Sequence, residues 1–363
     1  MRLVIGGGGS GGHIFPGLAV AGALRSLLRE ELELVYLGRV AGVEAAIAAD
    51  AGVPFAAISA RALRGRHVFS QVWSALVLAY GVAQALLVLR RFRPDVVFVT
   101  GGYVSIPVGV AAWLLQCPLV VFLPDIEPGW AVRVLARVAT TICVTHSASI
   151  DALPVRKTVA TGYPLRAVFR ELDRPMARAR FQLNGSPTLL VTAAVQGSRT
   201  INDAISAQLD KVLEAAHVIH VTGPRDEARL RARRDALPAT LRTRYHVFGY
   251  LGDDLPAAMV AADLAIARSG ASVLGEFPAA GLPAVLVPLP EAGAHQRRNA
   301  AILEDAGAAI VLDDANVATE LLPTTLSILQ DEERLTAMRQ AAHDRARSDA
   351  AERIAELLWE ARR

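Results

Sequence analysis

Short apolar runs rich in valine and isoleucine alternate with longer segments of alanine, leucine and arginine along almost the whole chain. This rhythm constrains the fold most, because strands buried on both faces and joined by helical crossovers assemble into parallel sheets. Residues 2–5 read as a strand, 17–29 as its helix, 32–37 as the next strand, and 95–99 and 119–122 as later ones. The rhythm then restarts. Residues 161–187, TGYPLRAVFRELDRPMARARFQLNGSP, are richer in proline and charge, and the fresh runs TLLVTAA, HVIHVTG, YHVFGYL, LAIARSG and PAVLVPL follow. The expected architecture is α/β, with two Rossmann-like doubly wound domains facing a cleft. Residues 1–162 form the first, 163–345 the second, and 346–363 a closing helix that packs back toward the first. A chain of 363 residues suits two such cores. Ligands of these sheets sit at the carboxyl ends of the strands.

Hydrophobic residues make up 53% of the chain, high for a soluble protein, so a membrane segment has to be considered. The candidate is VWSALVLAYGVAQALLVL, residues 72–89, with Arg61, Arg64, Arg66 and His67 before it and Arg90, Arg91 and Arg93 after it. Spanning a bilayer takes roughly 20 apolar residues, and Arg93-Pro94-Asp95 leads straight into a strand of the sheet. The expectation is a crossover helix buried on one face. A sharper alternative lays Phe69, Trp73, Leu76 and Tyr80, at helical spacing and flanked by arginine, on an anionic membrane surface. Formal charge is only +3, and Lys157 and Lys211 are the only lysines, which gives no clustered basic face for nucleic acid. Cys117 and Cys143 both lie in apolar stretches, so a disulfide framework is not expected and a reducing cytoplasm is the simplest setting. No signal peptide is visible.

The chain opens MRLVIGGGGSGGHIFPGLAVAGAL, and its glycines satisfy G-x-G-x-x-G twice, at Gly6, Gly8, Gly11 and at Gly7, Gly9, Gly12. Glycine at such a corner lets backbone N–H groups and a helix N-terminus meet an anion or a sugar with no Cβ in the way. A dinucleotide site adds an acidic residue about 20 residues on, at the end of the second strand. That strand ends YLGRVAG, with Arg39 in the place of the acid, which leaves NAD with little support. His13 stands directly behind the turn, where a helix N-terminus disfavours positive charge. It is either a general base or a hydrogen-bonded loop histidine, and spacing alone does not separate the two. Pro16 fits the first-turn preference for proline. A second glycine corner, TGGYVSIPVGVAAW (residues 100–113), again joins a strand to a helix. In IARSGASVLGEFPAAGLP a strand ends at Arg268, Ser269 and Gly270. Glu276 follows, either accepting the two hydroxyls of a ribose or standing as a solvated surface acid. PLPEAGAHQRRNAAILEDAGAA places His295, Gln296 and Asn299 at a helix start, to hold phosphate or hydroxyls or to cap.

GGGGSGGHIFPGLAVAGAL, TGGYVSIPVGVAAW, TGYPLR and RSGASVLGEFPAAGLPAVLVP with AHQRRNAAILEDAGAA resemble the successive motifs of the MurG family of GT-B glycosyltransferases. They run in that family's order from residue 3 to about residue 312. The resemblance implies transfer of N-acetylglucosamine from UDP to the 4-hydroxyl of the N-acetylmuramyl group of lipid I, forming lipid II for peptidoglycan, with inversion and with neither metal nor cofactor. It implies His13 as the catalytic base, and Ser10, Gly11, Gly12, Gly101, Gly102, Tyr103 and Asp125 along the acceptor diphosphate. On the donor side it implies Arg166, Gln196, Arg268, Ser269, Gly270 and His295. Leu251 would offer backbone to the uracil, Glu276 would hold the ribose, and Gln296 would lie near the sugar hydroxyls. The implied partners are the UDP-sugar, an undecaprenyl-diphosphate-linked acceptor, an anionic membrane surface and other cell-wall synthesis proteins. The implied location is peripheral, at the cytoplasmic face of the membrane.

Four departures from the family pattern stand out. AAVQGS (residues 193–198) replaces a usual Gly-Gly-Ser-Gln-Gly-Ala loop, so Val195 stands for its serine. LPDIEPGWAV replaces a Glu-Gln-Asn-Gly run, with Asp125 for the asparagine and Glu127 new. Tyr163 stands for an asparagine, and His295 for a glutamine. A carboxylate beside a diphosphate is unfavourable unless paired. Two alternatives follow: a diverged transferase with another lipid or small acceptor, and a catalytically weak nucleotide-sugar-binding protein at the membrane.

Overall fold

The computed structural model describes residues 1–8, 11–28, 32–39, 44–61, 68–193, 196–290 and 294–363. The chain divides into two compact units, Met1–Ala167 together with Ser348–Arg363, and Val168–Arg347. Tyr163 and Arg166 therefore belong to the first unit.

The first unit holds seven parallel strands: β1 (Arg2–Gly6), β2 (Glu33–Arg39), β3 (Phe55–Ile58), β4 (Val96–Val99), β5 (Leu119–Leu123), β6 (Thr141–Val144) and β7 (Thr158–Ala160). Their order is β3-β2-β1-β4-β5-β6-β7. Every residue of β4 and β5 is buried, as a sheet covered on both faces requires. The chain order reverses between β1 and β4, whose register pairs Leu3 with Val96 and Gly6 with Val99. This switch point is where open sheets of this kind take ligands. Cys117 and Cys143 are buried and unpaired, and burial pushes their thiols up to about 11 and about 12.

The first helix runs Gly11–Leu28. It begins six residues earlier than the sequence reading of 17–29, so His13 lies in its first turn. Pro16 is thereby corrected from a first-turn to an interior position, where it lacks the N–H that would bond the Gly12 carbonyl. The Tyr163 hydroxyl donates to that carbonyl at 3.3 Å instead. The closing helix Ala350–Ala361 packs against the first helix.

The apolar segment forms the crossover helix Val68–Phe92. Ser74, Leu78, Gly81, Ala85 and Leu89, at helical spacing, make its buried face against the helix Ser105–Leu114. Gly81 makes room for the backbone just after β3, since a Cβ there would lie 2.1 Å from the Ser59 carbonyl oxygen. On the other side Trp73 is 57%, Leu76 57%, Tyr80 61% and Leu87 68% exposed. Arg64 and Arg66 lie outside the described residues, as does the side chain of Phe69.

The second unit holds β8 (Thr188–Thr192), β9 (His217–Val221), β10 (Tyr245–Phe248), β11 (Leu264–Ala267), β12 (Ala284–Leu286) and β13 (Ala309–Val311), all parallel. The order is β10-β9-β8-β11-β12-β13, with its own switch point between β8 and β11.

Candidate functional site

In the first unit both glycine corners stand at the switch point, after β1 and after β4, and they interlock. Gly102 has φ +76°, and a Cβ on it would come 2.0 Å from the Gly8 carbonyl oxygen. Gly101 has φ +111°, and a Cβ there would sit 2.5 Å from His13 Nδ1. Only glycine adopts these dihedrals without strain, so these two residues let the His13 ring lie against the second corner. Ser105 fixes that corner, its hydroxyl donating to the Gly101 carbonyl at 2.7 Å and accepting from the Gly101 N–H at 3.0 Å.

His13 Nδ1 lies 2.9 Å from the Thr100 carbonyl oxygen, and a carbonyl can only accept. Nδ1 therefore carries a hydrogen, which in the neutral ring puts the lone pair on Nε2. The Thr100 hydroxyl donates in return to the His13 carbonyl. The sequence reading missed Thr100, Tyr36 and Glu44, which hold the corner from below. Tyr36 donates to the Gly7 carbonyl at 3.2 Å, and its hydroxyl is held far above its usual range by burial and by the Glu44 charge. Glu44 is fully buried against Gly8, where a Cβ would meet its Oε1 at 2.2 Å, and Arg39 pairs with it at 3.5 Å. The arginine that displaced the dinucleotide acid is thus an ion-pair partner within the corner.

Gly11 and Gly12 are half-buried in the helix's first turn, and Tyr103 is exposed. Ser10 lies outside the described residues. Arg166 stacks its guanidinium over the Phe15 ring at 4.6 Å, two residues beyond His13 in the same helix. Tyr163 is buried and packs edge-on against Phe122 at 6.1 Å. After β5, Asp125 is half-buried, and Glu127 lies 3.9 Å from Arg133. The charge that the new Glu127 brings is therefore partnered.

In the second unit the corner after β8 carries Gln196, exposed, and Gly197 with φ +72°. Ser198 caps the helix Arg199–Ala207. Val195 lies outside the described residues. Arg268, at the end of β11, donates to Ser198 Oγ at 2.8 Å and to the Val287 carbonyl at 3.1 Å, and pairs with Asp314 at 2.6 Å. Its side chain is 10% exposed, so it binds the loops after β8, β11, β12 and β13 into one rim. Ser269 is buried, with its carbonyl accepting from Asn299 at 3.1 Å, while a Cβ on Gly270 would meet open space. Gly270 thus offers backbone that a ligand can approach.

Glu276 opens the short helix Glu276–Ala279 and is 6% exposed, not a solvated surface acid. His295 and Gln296 lie in the first turn of the helix Ala294–Asp305, and Gln296 Oε1 accepts from the Leu289 N–H at 2.9 Å. Leu251 is buried just beyond β10, two strands from β8 in the sheet. The structure thus gathers Gln196, Ser198, Arg268, Ser269 and Gly270 at the switch point and leaves Leu251 at the sheet's far side. Among the described residues no group of three or more His, Cys, Asp or Glu could hold a metal ion.

Comparison with known proteins accords with this division. The glycosyltransferase family 28 N-terminal domain matches residues 3–144, and the family 28 C-terminal domain matches residues 188–354. A UDP-N-acetylglucosamine–N-acetylmuramyl-(pentapeptide) pyrophosphoryl-undecaprenol N-acetylglucosamine transferase of Roseiflexus sp. is 39% identical, over 99% of this chain and 94% of that protein. The protein of the same name from Listeria monocytogenes is 33% identical, over 99% of each. Among solved structures, Acinetobacter baumannii MurG superposes with a TM-score of 0.73 at 26% identity, over 99% of both chains. The UDP-GlcNAc 2-epimerase of Neisseria meningitidis, at 14% identity and a TM-score of 0.70 over 99% of this chain and 100% of that one, shares the fold.

Proposed function

The chain belongs to the MurG family of GT-B glycosyltransferases, and from that premise we propose that it transfers N-acetylglucosamine from UDP-N-acetylglucosamine to the 4-hydroxyl of the N-acetylmuramyl group of lipid I, forming lipid II. The observation that carries the mechanism is the His13 tautomer. With Nδ1–H held by Thr100, Nε2 is the free base at the edge of the two glycine corners. The 4-hydroxyl oxygen attacks C1 of the donor sugar, its proton passes to His13 Nε2, and the bond from C1 to the β-phosphate oxygen breaks with inversion.

The first-unit corners, with Gly11, Gly12, Gly101, Gly102 and Tyr103, receive the acceptor diphosphate on backbone N–H groups and a helix N-terminus. The second-unit rim receives the donor. Its diphosphate lies against Gln196, Ser269 and Gly270, and the leaving charge meets the N-terminus of the helix Arg199–Ala207. Arg268 shapes this rim from within. Glu276 holds the ribose, His295 and Gln296 the sugar, and Leu251 the uracil through its backbone. No metal ion takes part in this scheme.

The protein works as a peripheral enzyme at the cytoplasmic face of the membrane. The exposed stripe of Trp73, Leu76 and Tyr80, with Arg90 and Arg91 at the helix end, supports that placement. Incubation with UDP-N-acetylglucosamine, a short-chain lipid I analogue and EDTA should release UDP and give the inverted disaccharide in equal amounts. Absence of disaccharide across pH and lipid conditions contradicts the assignment, and a turnover abolished by EDTA contradicts its metal-free part.

A further inference from the structure

The corner after β8 does not hold itself. A Cβ on Gly197 would lie 1.9 Å from the Thr222 carbonyl oxygen, and a Cβ on Gly223, at φ +79°, would lie 2.3 Å from the Gln196 carbonyl oxygen. The turn after β9 and the corner after β8 are thus pressed backbone to backbone, so wherever Thr222 sits, Gln196 and Gly197 follow.

Thr222 is held by a buried polar chain that the reaction scheme does not use. Asn202 Nδ2 donates to the Thr222 carbonyl at 2.9 Å and to Asp226 Oδ2 at 2.9 Å. Both partners are acceptors, which turns Asn202 Oδ1 toward His220 Nε2, 3.0 Å away. Nε2 therefore carries the imidazole hydrogen, and Nδ1 accepts from the Tyr245 hydroxyl at 2.9 Å. His220 and Asn202 are almost wholly excluded from solvent. Asp226 is held in turn by Arg229 at 3.2 Å. Every group in the chain has one donor or acceptor role open to it, so the arrangement permits a single placement of Asn202 and hence of Thr222. An apolar side chain at residue 220 would leave Asn202 Oδ1 and the Tyr245 hydroxyl buried without a partner, and Asn202 would then turn to find one.

We propose that His220 and Asn202 are positioning residues for the donor diphosphate, fixing through Thr222 the backbone of Gln196 and Gly197 on which that diphosphate rests. The inference builds on the donor site proposed above. It makes His220 on β9 and Asn202 within the helix Arg199–Ala207, two buried side chains that touch no substrate, determinants of UDP affinity.

The test measures UDP binding to the full-length protein by titration calorimetry, alongside KM for each substrate. His220→Phe should raise the UDP Kd and the donor KM about tenfold, with the acceptor KM unchanged. His220→Gln, whose amide can both donate and accept, should return both to within about twofold of the native values. Tyr245→Phe removes only the hydroxyl and should raise the UDP Kd about threefold, and it decides the matter if His220→Phe does not fold. A folded His220→Phe with native UDP affinity overturns the inference, as does a rise in both KM values together. Native protein that binds no UDP overturns the donor site itself, whereas native protein that binds UDP but transfers nothing overturns only the assigned acceptor.

Discussion

At the scale of single residues, two histidines with opposite environments have separate work. His13 is half-buried at a corner open to ligand, with Nδ1 committed to a carbonyl and Nε2 available. His220 is fully buried with both nitrogens committed, and burial, outweighing the nearby Asp226, lowers its pKa to about 3. This difference has a consequence for acid stability. The unfolded chain protonates a histidine near pH 6.5, whereas folded His220 stays neutral down to about pH 3, so its contribution is present above pH 6.5 and lost as pH falls between these values. Between pH 7 and pH 5 that loss amounts to about 2 kcal/mol for one such residue. Urea unfolding of His220→Gln should therefore decline less steeply over this range than that of the native chain. Equal slopes would mean that His220 takes up a proton in the folded state.

At the scale of elements, the first helix illustrates a coupling that pattern alone does not reveal. Pro16 removes the donor that the Gly12 carbonyl would receive, and Tyr163, 151 residues beyond Gly12 in the chain, supplies it. Tyr163→Phe should lower stability by about 1 kcal/mol, as for a typical hydrogen bond. It should also slow turnover more than it weakens UDP binding, because the affected turn carries His13. A native thermal midpoint in this variant would show that the carbonyl finds another donor. The strands with long runs of valine, isoleucine and leucine, β1, β2, β4, β5, β8 and β9, are legible in the sequence because burial on both faces leaves a continuous apolar mark. Strands β3, β6, β7 and β13 escape notice, because alanine dilutes Phe55-Ala56-Ala57-Ile58 and the other three carry at most three large apolar residues beside a threonine or an alanine. The glycine corners and His13 are legible for a similar reason, since a missing Cβ is written into the sequence. Glu44, Thr100, Asn202 and His220 are not, because their roles arise only when distant strands stand side by side.

At the scale of the whole molecule, two sheets each bring a ligand-ready corner to a switch point, and an apolar helix adds a surface that water does not favour. The exposed side of Val68–Phe92 presents Val72, Trp73, Leu76, Tyr80 and Leu87 in one stripe. Replacing Trp73, Leu76 and Tyr80 by serine should sharply reduce flotation with anionic vesicles while leaving UDP binding unchanged, and unaltered flotation would remove this helix from membrane attachment. The central claim is that this is a lipid I transferase with His13 as its base, and it is tested most directly by single-turnover transfer from UDP-N-acetylglucosamine to a lipid I analogue by native protein and His13→Ala. The account predicts that native protein forms the disaccharide, and that His13→Ala does so about 10²- to 10⁴-fold more slowly with its UDP Kd within about twofold of native. Equal rates from the two proteins, or a rate lost only in proportion to UDP affinity, would contradict it.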